Sequence, residues 1–444
     1  MMKQIFTFIT LCYFLVIVTA LVSCSTSGPS GLFGKKTPHE QYGERLTTAG
    51  LHETALGRQW FQAAEQSLTQ PLTVTLPYSE TGYFAADRPA ASGIRFDARQ
   101  GQKLTISLTK KPVDGFAVYM DFWQPASATG NKPKLLASAD TLNSTIAHEV
   151  KNTGDYQLRI QPELLKGGAY TLSISIGPSL AYPVAPKAKS NIGSFWGAGR
   201  DAGARSHEGI DIFAAMRTPL VAAARGTITR VNENNLGGKV VWLRPDGKDY
   251  TLYYAHLDEQ LAQPGQSVQP GDTIGLVGNT GNAMSTSPHL HFGIYTASGA
   301  VDPLPFVDPV VKNPVKITAP ANIMESVART AKPAKLYPMP NAASVSTQTL
   351  EGNTVVTVEA ATAAWYKVRL PDGARGFVSA SLVDEAKEGR KFTPKEALTI
   401  TDAPEAGAPE KTSLAAGEAV SILGTFGNYY LVRKGTTAEG WIPR

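Results

Sequence analysis

His289-Leu290-His291 and the earlier run His207-Glu208-Gly209-Ile210-Asp211 decide how this chain is read. In an extended chain side chains alternate between two faces, so His289 and His291 point into one cleft while Leu290 faces the core. Gly209 argues against a regular helix in the other run, and for a turn or bulge that brings an imidazole and a carboxylate together. Around these runs, from about Asn191 to Phe306, the chain is dense in glycine and turn signals. A strand is expected at Ala222 to Val231, and the whole segment predicts a small, mostly antiparallel β-sheet with a cleft across it.

Two imidazoles and one carboxylate make a three-ligand zinc site whose fourth position stays open for water, the layout of a catalytic rather than a structural ion. Cysteine cannot contribute. The chain has two cysteines; Cys12 lies inside the apolar N-terminal run and Cys24 at its end, which leaves histidine and carboxylates as metal ligands. Zinc lowers the pKa of bound water to about 7 and polarises a carbonyl. A proton acceptor and an oxyanion stabiliser are then needed, and His256, in Tyr253-Tyr254-Ala255-His256-Leu257, and the spare histidine of the His289/His291 pair are the unassigned imidazoles nearby. Glu208, next to a ligand in extended chain, is expected to point away from the metal. His39, His52 and His148 read as surface or packing residues.

Length and composition set the frame. A chain of 444 residues exceeds what one core supports, and 41 Gly with 30 Pro indicate a turn-rich, β-dominated multidomain protein. The net charge of +5 is mild and its Lys and Arg are scattered, which argues against nucleic-acid binding. At the N-terminus Lys3 precedes an apolar run from Ile5 to Val22 that ends at Leu21-Val22-Ser23-Cys24. That ending resembles a bacterial lipobox, which implies lipidation of Cys24 and export; the competing expectation is that Ile5 to Val22 stays as a membrane-spanning helix.

Beyond the signal (1–23), residues 24–37 read as a flexible tether and 38–68 as one or two short helices carrying Leu51, Leu56, Trp60 and Phe61. Period-two stretches at Leu72 to Leu76, Leu104 to Leu108, Tyr156 to Ile160 and Tyr170 to Ile176 predict a β-sandwich over 69–178. A linker (179–190) leads into the cleft domain (191–306). After a second linker (307–326) the chain repeats at about 64 residues, with Gly352 matching Gly417, Tyr366 matching Tyr430, and Gly376-Phe377-Val378 matching Gly440-Trp441-Ile442. Two small β-barrels are expected there, at 327–385 and 391–444.

These segments resemble known families. Residues 191–306 look like the lysostaphin/LytM-type zinc endopeptidases of peptidoglycan: H-x-x-x-D at His207 to Asp211, a lone His at His256, H-x-H at His289 and His291, and the glycine-rich approach Gln269 to Gly281 occur in order. The resemblance implies one zinc ion held by His207, Asp211 and His291, with His256 and His289 as catalytic imidazoles. It implies peptidoglycan as substrate, and the lipobox adds a membrane contact at the periplasmic face of an outer membrane. Glu208 stands where the family often has Pro, Gly293 where an acidic residue is frequent, and Ala283 to Ser287 lengthens a loop. The 69–178 segment resembles the jelly-roll module of secreted bacterial peptidases, and the C-terminal repeats, through Trp365-Tyr366-Lys367-Val368-Arg369, resemble bacterial Src-homology-3-like barrels. The alternative expectation is a catalytically silent, wall-binding regulator of an amidase; the sequence names no protein partner.

Overall fold

The computed structural model describes residues 36–115, 117–126, 132–139, 145–200, 203–435 and 438–444. The signal, the apolar run and Cys24 lie outside them. Among the described residues no helix is long and apolar enough to cross a membrane.

The predicted helical segment forms two helices, Pro38–Thr48 and Ala55–Thr69, the second capped by Thr54, whose side chain accepts from the Gly57 amide. Trp60 is 1% exposed and its indole donates to the Pro162 carbonyl, which fastens the helices to the sandwich. Burying a large apolar side chain of this kind contributes roughly 1.5–3 kcal/mol. His39 stacks on Trp60, so it packs as expected, and it also meets Gln161 and Arg159.

The alternating stretches form the two sheets of a sandwich around one core that includes Leu104, Ile106, Phe122, Leu158 and Ile174. The strand expected at Leu72 to Leu76 reaches only Leu72–Thr73, where it pairs in parallel with Ile94 and Arg95.

The C-terminal copies repeat as expected, with strands Val355–Thr362, Trp365–Arg369 and Arg375–Ser379 answered by Val420–Phe426, Tyr429–Lys434 and Ala438–Pro443. Neither copy closes into a barrel among the described residues. In the first, the edge of Val355–Thr362 pairs with the sandwich strand Tyr78–Phe84, Thr81 opposite Ala361, and one sheet runs through both modules. In the second, the strand order stays open, from Lys391–Phe392 to Glu410–Leu414. Val355–Thr362 also pairs within its own module, with Ala328–Thr330 at Val355 and Val356 and with Trp365–Arg369. Phe377 belongs to the sandwich core and Trp365 packs on it.

The cleft domain is a sheet of mainly antiparallel strands whose spine runs Ser190–Ser194, Ile210–Ala214, His289–Thr296, Tyr250–Gln260, Gly238–Pro245 and Gly226–Asn234. Its core face carries Ile210, Ile212, Leu252, Tyr254, Leu290 and Phe292, all fully buried. Leu180 and Val184, from the Pro- and Lys-containing stretch before it, are buried in this core as well.

Candidate metal centre

Register brings the site together. Ile210–Ala214 and His289–Thr296 are antiparallel neighbours with Asp211 opposite His291 and Phe213 opposite His289. Because the side-chain period is two, these four share the cleft face while Ile212 and Leu290 go to the core. On the far side Tyr250–Gln260 sets Ala255 opposite His291. His207 precedes its strand in a turn tied at both ends: the Gly197 amide donates to the His207 carbonyl and the His207 amide to that of Ala198. Gly209 is required for space, since a Cβ there would lie 2.7 Å from Cε1 and 2.8 Å from Nε2 of His291.

His207 Nε2, Asp211 Oδ1 and His291 Nδ1 form a nearly equilateral triangle with edges of 3.0, 3.0 and 3.1 Å. His207 Nδ1 faces the Phe195 carbonyl at 2.9 Å, so Nδ1 carries the proton and Nε2 turns its lone pair inward. A tetrahedral zinc with bonds of about 2.0–2.1 Å sets its ligands about 3.3 Å apart, within a few tenths of an ångström of these edges. The donor set therefore fits zinc. Burial alone would raise the Asp211 carboxyl, but its bonds to His207 and His291 outweigh this and hold it well below the usual carboxylate range. Burial lowers His291, which keeps that imidazole neutral.

Two further imidazoles border the triangle. His289 Nδ1 meets the Ser287 carbonyl at 2.9 Å, and Nε2 lies 3.9 Å from Asp211 Oδ1. His256 sits at φ 63°, a left-handed conformation uncommon outside glycine. Regular alternation from the buried Tyr254 would send His256 to the core; the positive φ turns it to the cleft, its ring 5.0 Å from that of His289 and 5.9 Å from that of His291. Its Nδ1 is 2.8 Å from the Thr280 carbonyl, which leaves Nε2 as the basic atom. Burial, then the charge of His289, push His256 down to about 4, so it is neutral near pH 7.

The cleft holds about 870 Å³. One wall is aromatic: Trp242 lies 4.3 Å from Tyr253 and 5.7 Å from Tyr295, ring centre to ring centre. Glu208 is exposed, lines the cleft and stands outside the triangle. The sequence reading missed this wall and Arg200, whose Nη2 donates to Asp211 Oδ2 at 2.6 Å. Parity held the signal for Tyr295, four residues past His291 on one strand; Arg200 comes from a separate hairpin and gave none.

Residues 205–303 match Peptidase family M23, and residues 331–385 match a bacterial SH3 domain. An uncharacterized metalloprotease of Haemophilus influenzae is 42% identical over 101 residues, 22% of this chain and 21% of that one. The L-Ala–D-Glu endopeptidase of Bacillus subtilis is 34% identical over 137 residues, 28% of this chain and 42% of that one. Peptidoglycan DD-endopeptidase ShyC of Vibrio cholerae is 36% identical over 88 residues, 20% of each. The chain thus spans between about a fifth and two fifths of these curated relatives. It carries a peptidase family M23 domain, of the LytM and lysostaphin type, followed by a bacterial SH3 domain.

Proposed function

We propose that this protein is a zinc endopeptidase that hydrolyses peptide cross-links of bacterial peptidoglycan. The observation that carries the reading is the triangle of His207, Asp211 and His291, closed to 3.0–3.1 Å with His256 and His289 beside it in one cleft. Zinc, when bound there, supplies an acidified water and polarises the scissile carbonyl. His256, neutral near pH 7, takes the proton from the attacking water at Nε2 and returns it to the leaving amine. His289, its Nδ1–H held by the Ser287 carbonyl, donates to the oxyanion from Nε2 in its protonated, imidazolium form. Buried ionised Asp211 keeps a negative charge among the ligands throughout. The aromatic wall of Trp242, Tyr253 and Tyr295 excludes water from one side of the substrate.

A silent regulator needs no complete set, and all five side chains converge here, which supports the catalytic reading. The endopeptidase relatives act on peptidoglycan or on an L-Ala–D-Glu bond, which supports a wall stem peptide as substrate. In this reading lipidated Cys24 and the tether at 24–37 hold the chain in the cell envelope, at the periplasmic face of an outer membrane. The helical segment (38–68), sandwich (69–178) and C-terminal repeats (327–385 and 391–444) form its accessory body.

The test is digestion of purified cross-linked peptidoglycan by the protein, with mass analysis of the products and His291→Ala and chelator controls. Zinc-dependent release of cross-link fragments is expected, and their masses name the bond. A zinc-loaded protein that releases nothing overturns the reading.

A further inference from the structure

Asp211 uses its two oxygens differently. Oδ1 is the corner of the triangle, 3.0 Å from His207 Nε2 and 3.1 Å from His291 Nδ1. Oδ2 is taken by Arg200, whose Nη2 stands 2.6 Å away and also donates to Ser194 Oγ at 2.8 Å. We propose that Arg200 is a positioning residue for the metal centre: by occupying Oδ2 it leaves Oδ1 as the one carboxylate atom offered to a cation. This rests on the metal site proposed above.

The surroundings are built to hold the guanidinium there. Ser194 ends the strand Ser190–Ser194, and a bulge between Ile192 and Ser194 shifts the register so that Ser194 comes opposite Asp211. The bulge needs Gly193, because a Cβ at that position would lie 2.7 Å from the Phe213 ring. Ser194 Oγ also lies 3.4 Å from His207 Nδ1, so one hydroxyl spans the arginine and the back of a ligand histidine. Arg200 itself pairs with Arg205 across the short hairpin Gly199–Arg200 and Arg205–Ser206, outside the main sheet. The hairpin thus delivers a cation to the outer edge of the only carboxylate in the triangle.

The chemical consequence concerns coordination number. Asp211 is ionised, and a carboxylate free to rotate can give a metal both oxygens. With Oδ2 engaged, His207 Nε2, Asp211 Oδ1 and His291 Nδ1 would be the three protein atoms offered to a cation, which would leave room for the water that the hydrolytic reading requires. The guanidinium side chain is one-third exposed, so the ion pair is screened and adds little to folding stability. Its effect is therefore expected at the metal and not in the melting temperature.

Cobalt(II) replaces zinc as the probe, since it absorbs strongly in the visible in four-coordinate tetrahedral sites and weakly at higher coordination. The full chain is loaded with cobalt(II) alone, alongside Arg200→Ala and Arg200→Met; the second keeps the side chain's bulk without its N–H groups. The wild type is expected to show the intense band. Both variants should keep the wild-type melting temperature and lose band intensity several-fold as Asp211 turns bidentate. A wild-type spectrum in either variant overturns the role of Arg200 while leaving the metal site intact. A wild type with no cobalt band overturns the metal site itself, and the inference with it.

Discussion

Lys367 Nζ lies 2.6 and 2.8 Å from the two carboxylate oxygens of Glu80, a residue 287 positions earlier, and neither side chain has any exposed surface. Tyr78, Tyr170 and Ser92 complete the bonds of this group. Burial would raise the Glu80 carboxyl, and the Lys367 ammonium reverses that, so the carboxylate stays ionised. It joins the sandwich to the bacterial SH3 domain where their strands share a sheet. Lys367→Ala, which strands a buried carboxylate, is expected to destabilise this unit by about 3–5 kcal/mol. Urea denaturation measures it, and a loss below about 1 kcal/mol would show that the junction does not depend on the pair. Zinc content should not change.

The proposed metal ligands are tested by stoichiometry. His207→Ala, Asp211→Ala and His291→Ala are each expected to abolish zinc retention after dialysis. Gly209→Ala adds a methyl group 2.7–2.8 Å from the His291 ring. Overpacking of that kind costs about 1–3 kcal/mol, so zinc affinity should fall about 5- to 150-fold. An unchanged zinc Kd in Gly209→Ala would mean that the ring can move without loss.

A variant at His256 separates the proposed proton transfer from metal binding. His256 stands 5.9 Å from the His291 ring and touches the triangle through no hydrogen bond. His256→Ala should keep its zinc and lose about 10²–10⁴-fold in kcat. Full zinc occupancy with wild-type kcat on isolated muropeptide dimers would remove His256 from the chemistry.

His39 makes the helical segment sensitive to pH. Burial, then the charge of Arg159, push it down to about 4, while Gln161 and Glu40 act the other way. The unfolded imidazole titrates near 6.5, so the stability linked to His39 is complete above pH 6.5 and is lost as pH falls through about 4. The shift corresponds to about 3 kcal/mol. Stability of the wild type measured against pH should fall across that window more steeply than that of His39→Gln. Parallel curves would assign the acid sensitivity to other groups.

Much of the site was legible because its signals are local. The parity of His289 and His291 and the turn signalled by Gly209 are properties of short segments, and both are observed. The open C-terminal sheets were not legible. That Val355–Thr362 pairs with Tyr78–Phe84 as well as within its own module depends on a partner far away in the chain, and a strand's own residues do not name it. Lys367 read as part of a repeat motif for the same reason; only its burial against Glu80 shows what it holds.

The sequence by itself determined a β-rich multidomain chain, the cleft segment and the convergence of His207, Asp211, His289 and His291 in it, since alternation and turn chemistry act over a few residues. Tertiary structure alone decided the position of Arg200 on Asp211, the left-handed turn that aims His256, and the fusion of the bacterial SH3 domain with the sandwich. Each of these depends on registers and contacts between segments distant in sequence, and such pairings are fixed only when the cores pack and every buried polar group finds its partner.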